Sequence, residues 1–187
     1  MDAFSYLSVL LSIILGLAIT QILQGVRGLM LARSRLQVYG PSLWWTGILL
    51  VIDVQAWWAM YDLRARVEWS FLDFAVVLAQ TIPMYLLAGL VLPDVATEGP
   101  VDLRRHYLDN HRWFFVLLIV TLLVSIARPL VLTGALPSPP DLAFHLAFIM
   151  MALAAACVSN EIFHRWIAPV SGVAIALYIG LVFAHLR

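Results

Sequence analysis

Apolar residues in this chain come in six blocks of about twenty positions, the length a helix needs to cross about 30 Å of hydrocarbon. The blocks predict spans at about Phe4–Leu23, Leu43–Tyr61, Ser70–Leu92, Trp113–Leu132, Leu142–Asn160 and Trp166–Leu186. Trp44 and Trp45, Trp57 and Trp58, Trp69, Trp113 and Trp166 fall near the predicted ends, as an aromatic belt does. Pro41, Pro93 and the stretch from Gly134 to Pro140 punctuate the connections. The expected fold is all-α: one integral membrane domain over residues 1–187, a bundle of six transmembrane helices. The opening MDAFSYLSVLL has no basic leader and no small-residue cleavage signal, so it reads as a retained first span.

Composition agrees. The chain is 63% hydrophobic and 12% charged, with mean hydropathy +0.95, too little polar surface for a soluble domain. Formal net charge is zero, so nothing points to nucleic acid. All eleven basic residues are arginine; the absence of lysine excludes Schiff-base chemistry on that side chain. Cys157 is the single cysteine, so no intramolecular disulfide forms.

Arginines set the expected orientation. The loops after spans one, three and five carry seven of them (Arg27, Arg33, Arg35, Arg104, Arg105, Arg112 and Arg165). The other four are Arg64, Arg66, Arg128 and Arg187. The positive-inside rule then places the N-terminus outside. Val26–Leu36 reads as a short interfacial helix, with Val26, Leu29, Met30 and Leu36 set among arginines. Asp102–Arg112 has helical charge spacing and reads as an extension of span four. No internal repeat supports an inverted-repeat transporter.

Two stripes of small residues recur at four-residue spacing: Ser8, Ser12, Gly16 and Thr20 in span one, and Gly172, Ala176, Gly180 and Ala184 in span six. Such stripes let helices approach closely, either inside the bundle or at an interface with another copy or a membrane partner.

Asp53 sits in the middle of span two. An acid at bilayer depth costs roughly 2.5–3.5 kcal/mol and is a functional-site hypothesis by default. At about 1.5 Å per residue, Asp53, Gln80 and Thr121 fall in one mid-membrane layer. Asp73 and Arg128 fall in a second layer nearer the outside. Thr121, Ser125 and Arg128 form one stripe of span four, and Asp73 and Gln80 share a face of span three. Gln55 lies about 200° around the helix from Asp53. Pro129 frees the carbonyl of Ser125. These residues make either a structural polar core or a path for protons or small ions. In the first case Asp73 pairs with Arg128, and Asp53 bonds to Gln80 and Thr121. In the second, Asp53 is the titrating or cation-binding group and Asp73–Arg128 an outer gate.

His145 and His185 lie near the same end of an antiparallel pair, where two axial haem ligands are conceivable. Glu161 and His164 form a Glu-x-x-His pair, the half of a di-iron motif whose other half is missing. The chain has no His-Glu-x-x-His, no Gly-x-Ser-x-Gly and no Gly-rich phosphate loop, so no enzyme and no bound cofactor is expected beyond the haem alternative.

FSYLSVLLSIILGLAITQIL, DVQAWWAMYDLR and DLRRHYLDNHRWFF resemble a group of bacterial six-span membrane proteins, over Phe4 to about Leu132. The resemblance implies a multi-pass protein of the bacterial cytoplasmic membrane and carries no activity. The leading functional expectation is a small proton or ion channel or transporter between spans two, three and four. The alternatives are a non-catalytic subunit or sensor acting through helix contacts, and a haem- or quinone-binding redox module.

Overall fold

The computed structural model describes residues 3–66, 68–95 and 99–182. They form an all-α bundle of six helices: α1 (Ala3–Leu31), α2 (Gly40–Ala59), α3 (Phe71–Leu90), α4 (Leu103–Thr133), α5 (Pro139–Cys157) and α6 (Glu161–Val182). All six are long and apolar enough to cross a membrane. Their apolar surface continues on the outside: Val9, Ile13 and Leu17 on α1, and Val170, Val173 and Leu177 on α6, are exposed. In water this surface would be costly; in a bilayer it is the solvated face.

Local chemistry sets the helix ends. Pro41 stands in the first turn of α2, where its missing N–H costs nothing. The Ser70 hydroxyl accepts from the Asp73 amide at 3.1 Å, and Asp73 Oδ2 accepts from the Ser70 amide at 2.9 Å, a capping box that starts α3. Asp102 caps α4 through the Arg105 amide at 2.9 Å, and the Asp102–Arg112 segment is its first turns. Gly134, at φ 71°, closes α4 in the left-handed conformation that glycine adopts without penalty.

α1 runs unbroken to Leu31, so the expected interfacial helix at Val26–Leu36 does not form. The reason lies in two glycines. A Cβ at Gly25 would stand 2.9 Å from Leu92 Cδ1, and one at Gly28 would stand 3.0 Å from Val95 Cγ2. The segment that follows α3 lies directly on these glycines and holds the last two turns of α1 against the bundle. Beyond a single turn at Arg33–Arg35, strand β1 (Leu36–Gln37) pairs in parallel with β2 (Val101–Asp102), Leu36 opposite Val101. The α1–α2 and α3–α4 connections therefore meet at one end. Glu161 joins Arg104 at 2.8 Å and brings the α5–α6 connection to the same place. The seven loop arginines counted above thus gather at a single end of the molecule.

α3 packs between α1 and α4, α4 packs on α5, and α2 lies chiefly against α6. The core at the arginine-rich end is aromatic: Trp45 meets Phe114 and Phe115 edge to face at 5.2 and 5.4 Å. Trp45 is fully buried and belongs to this core rather than to the aromatic belt. Trp44, Trp57, Trp58, Trp113 and Trp166 are exposed, as belt residues are.

Candidate functional site

Toward the α4–α5 connection the helices part around a cavity of about 220 Å³. Its polar lining comes from five helices: Asp53 on α2, Gln80 on α3, Thr121, Ser125 and Arg128 on α4, Asp141 and His145 on α5, and Tyr178 on α6. Leu49, Leu87, Leu118, Phe144, Phe148 and Ile175 supply apolar walls. Five of the six residues expected from sequence to form the polar core or ion path meet here: Asp53, Gln80, Thr121, Ser125 and Arg128. Asp73 does not line the cavity. Gln55, on the far side of α2 from Asp53, also reaches its edge.

Asp53 is 1% exposed, and its Oδ2 has no hydrogen-bond partner among the described residues. The expected bonds from Gln80 and Thr121 are not formed. The Thr121 hydroxyl donates back to the Leu117 carbonyl at 2.9 Å, the usual resort of a helical threonine in lipid. Gln80 Oε1 accepts from Arg128 Nη1 at 3.1 Å.

The Asp73–Arg128 ion pair is likewise not formed. Asp73 stands in the first turn of α3, where the capping box holds it and Arg66 meets it at 2.9 Å. Arg66 also donates to the Leu132 carbonyl at 2.6 Å, tying the α2–α3 connection to the end of α4. A loop arginine satisfies this acid, and Arg128, deeper in the bundle, turns to the neutral Gln80.

Across the cavity the side chains of α4, α5 and α6 join in a chain. Asp141 and His145 lie four apart on α5, hence on one face. His145 Nδ1 lies 2.8 Å from the Asp141 carbonyl and 3.0 Å from Asp141 Oδ1. Both are acceptors, so Nδ1 carries a proton; in the neutral ring, Nε2 then accepts from the Ser125 hydroxyl 3.0 Å away. The Tyr178 hydroxyl donates to Asp141 Oδ1 at 2.5 Å. Tyr178 stacks on Phe144 at 4.0 Å and 9°, which holds the phenol in place.

Sequence reasoning missed Asp141 and Tyr178, and treated His145 only as a possible haem ligand. The Asp-x-x-x-His spacing was the available signal for the first pair; nothing local marks Tyr178. Both ring nitrogens of His145 are occupied, so binding iron would cost one of these bonds. His185 and Ala184 lie outside the described residues.

The cavity ends toward the arginine-rich end at Leu118, Trp45, Phe114 and Phe115, all buried. Beyond that plug the polar groups serve structure. Glu161 bridges Arg104 and Arg165, each at 2.8 Å. His164, fully buried, bonds Tyr107 through Nδ1 at 2.8 Å and the Val158 carbonyl through Nε2 at 2.7 Å. Both members of the Glu-x-x-His pair are thus committed to other groups, and no cluster suited to a metal ion occurs among the described residues. Tyr39, at the head of α2, is raised above the ordinary phenol range by burial and stays neutral.

The small-residue stripes divide. A Cβ at Gly172 would stand 3.3 Å from the Trp44 ring, so this glycine faces α2, whereas Ala176 and Gly180 are exposed. Ser12, Gly16 and Thr20 all lie on the outer face of α1, with Ser8 half-buried.

The fold and cavity define a polytopic membrane protein with a polar site inside its helix bundle. No family model matches the chain, and neither does a curated protein or a solved structure.

Proposed function

We propose that the protein is a carrier for protons or small monovalent cations, with Asp53 as the exchanging group. One observation carries the reading: a buried carboxyl lines a cavity with no partner for Oδ2 among the described residues. A structural acid in lipid is normally paired, whereas an acid that must take up and give back a proton or cation keeps its lone pairs available. Arg128 shares the same cavity, and its charge disfavours a divalent ion. The apolar plug at Trp45, Phe114, Phe115 and Leu118 supports a carrier that changes shape over a continuously open pore. The bacterial cytoplasmic membrane is the setting that the chain's composition and resemblance favour.

The test is proton and monovalent-cation flux into liposomes holding the purified protein, wild type beside Asp53→Asn. The variant keeps the shape and removes the charge. Flux in the wild type that falls to background in Asp53→Asn is the expected result. Absence of flux from a folded wild type would overturn the reading.

A second reading has support on α1. The Ser12–Gly16–Thr20 face is exposed rather than packed inside, which favours a protein that acts through contact with another membrane helix.

A further inference from the structure

We propose that Ser125, His145 and Asp141 form an acyl-transfer site, with Ser125 the nucleophile, His145 its general base and Asp141 the group that orients the base. The substrate class is a carboxylic ester with a short apolar acyl chain. The geometry meets the demands of that chemistry. The nucleophile and base are 3.0 Å apart, and the base and its orienting carboxylate are also 3.0 Å apart. Asp141 holds the tautomer in which Nε2 has its lone pair toward Ser125, the protonation state a general base needs. Tyr178 donates to the same carboxylate oxygen, Oδ1, at 2.5 Å and fixes it in place. The three residues come from two helices and are brought together by packing alone, which is why no sequence motif announces them.

The surroundings suit an acyl group. Arg128 follows Ser125 by three residues on the same face of α4, and Gln80 takes one of its N–H donors. The other donors can serve an oxyanion that forms beside Ser125. Phe144, Phe148, Ile175 and Ile179 give the acyl chain an apolar bed. At about 220 Å³ the cavity is smaller than a drug-sized site, so it admits a short chain and excludes a whole phospholipid.

The reaction balances without any redox partner. Ser125 Oγ bonds to the ester carbonyl carbon while its proton passes to His145 Nε2. The carbon–alkoxy bond then breaks, and the alkoxide leaves with that proton as the free alcohol. Water attacks the resulting Ser125 ester and gives a proton to Nε2. Oγ leaves, recovers the proton, and the acid is released. The step needs neither Asp53 nor transport.

The test uses the full chain in lipid nanodiscs and an alkyl fluorophosphonate, which phosphonylates activated serines, read by intact mass and peptide mapping. One adduct at Ser125 is expected, absent in Ser125→Ala and retained in Ser159→Ala, a serine of the exposed α5–α6 connection. His145→Gln should slow labelling by about 100-fold or more, the share of a general base. Asp141→Asn, which keeps the size of the side chain, should slow it as well and serves if His145→Gln does not fold. No adduct on folded wild type, an adduct that persists in Ser125→Ala, or wild-type labelling rates in the folded base and orienting variants would each overturn the proposal.

Discussion

Replacing Asp53 by leucine should make this protein more stable. The carboxyl is 1% exposed, and its Oδ2 meets no donor among the described residues. A buried polar atom without a partner costs about 1–3 kcal/mol, and leucine removes it. The usual penalty of a larger side chain is small here, because the residue faces a cavity of about 220 Å³ rather than a packed wall. Membrane insertion works in the same direction, since an acid at mid-bilayer costs roughly 2.5–3.5 kcal/mol and leucine is favourable by about 0.5 kcal/mol. The expected net gain in folding stability is therefore about 1–3 kcal/mol. For a chain of this length each kcal/mol moves Tm by about 2–4 °C. Thermal unfolding in a fixed detergent, followed by tryptophan fluorescence or by the monodisperse fraction after heating, measures it. Asp53→Asn should shift Tm less, because the amide keeps polar atoms that the cavity must still satisfy. A fall in Tm with both variants would refute the reasoning, since it would mean that the carboxylate holds the fold together through a donor.

Gly25→Leu should destabilise by about 1–3 kcal/mol through overpacking, because the first added carbon would already stand 2.9 Å from Leu92 Cδ1. Gly89→Leu, with nothing within 4 Å, is the control, and a similar loss there would undo the argument. Gly16→Leu should leave monomer stability unchanged, since its Cβ also meets nothing within 4 Å, yet weaken any self-association read by cross-linking in vesicles. Unchanged association would remove α1 as the contact face. Cys157 is exposed at the arginine-rich end, so an impermeant maleimide should reach it only after the cells are permeabilised. In a Cys157→Ser background, Leu136→Cys, on the exposed α4–α5 connection, should label without permeabilisation. The opposite pattern reverses the orientation expected from the arginines.

Period and length made the six helices readable in the sequence, because lipid demands an unbroken apolar run and tolerates little else. Depth arithmetic went further and put Asp53, Gln80 and Thr121 in one layer, since rise per residue is the same in every span, and helix periodicity put Ser125 and Arg128 on the stripe of Thr121. Pairing was not readable in the same way. Asp73 and Arg128 shared a calculated depth, but the capping box and Arg66, both local, satisfied the acid first. Local partners cost less entropy to recruit than distant ones. Val26–Leu36 failed as a separate interfacial helix for a related reason. Gly25 and Gly28 look like weak helix residues when taken alone, and only the approach of Leu92 and Val95 shows why α1 continues through them. Tyr178 could not be found at all, because its relation to Asp141 depends on how α6 rotates against α5.

The remaining question is why a bundle that pairs Asp73, Asp141 and Glu161 leaves Oδ2 of Asp53 without a partner among the described residues. Asp73 has a cap and an arginine, Asp141 has a histidine and a tyrosine, and Glu161 has two arginines. In each case the partner lies within 3.0 Å, so the fold is able to recruit one where stability calls for it. Gln80 and Thr121 both line the cavity with Asp53, yet one serves Arg128 and the other its own helix. An apolar residue at position 53 would be cheaper for the bundle by the magnitudes worked above. On the proposed function, the open carboxyl answers to something that enters the cavity rather than to packing. The cavity and a carboxyl oxygen with no partner among the described residues coincide in one place. That coincidence directs the functional search to the α4–α5 end of the bundle.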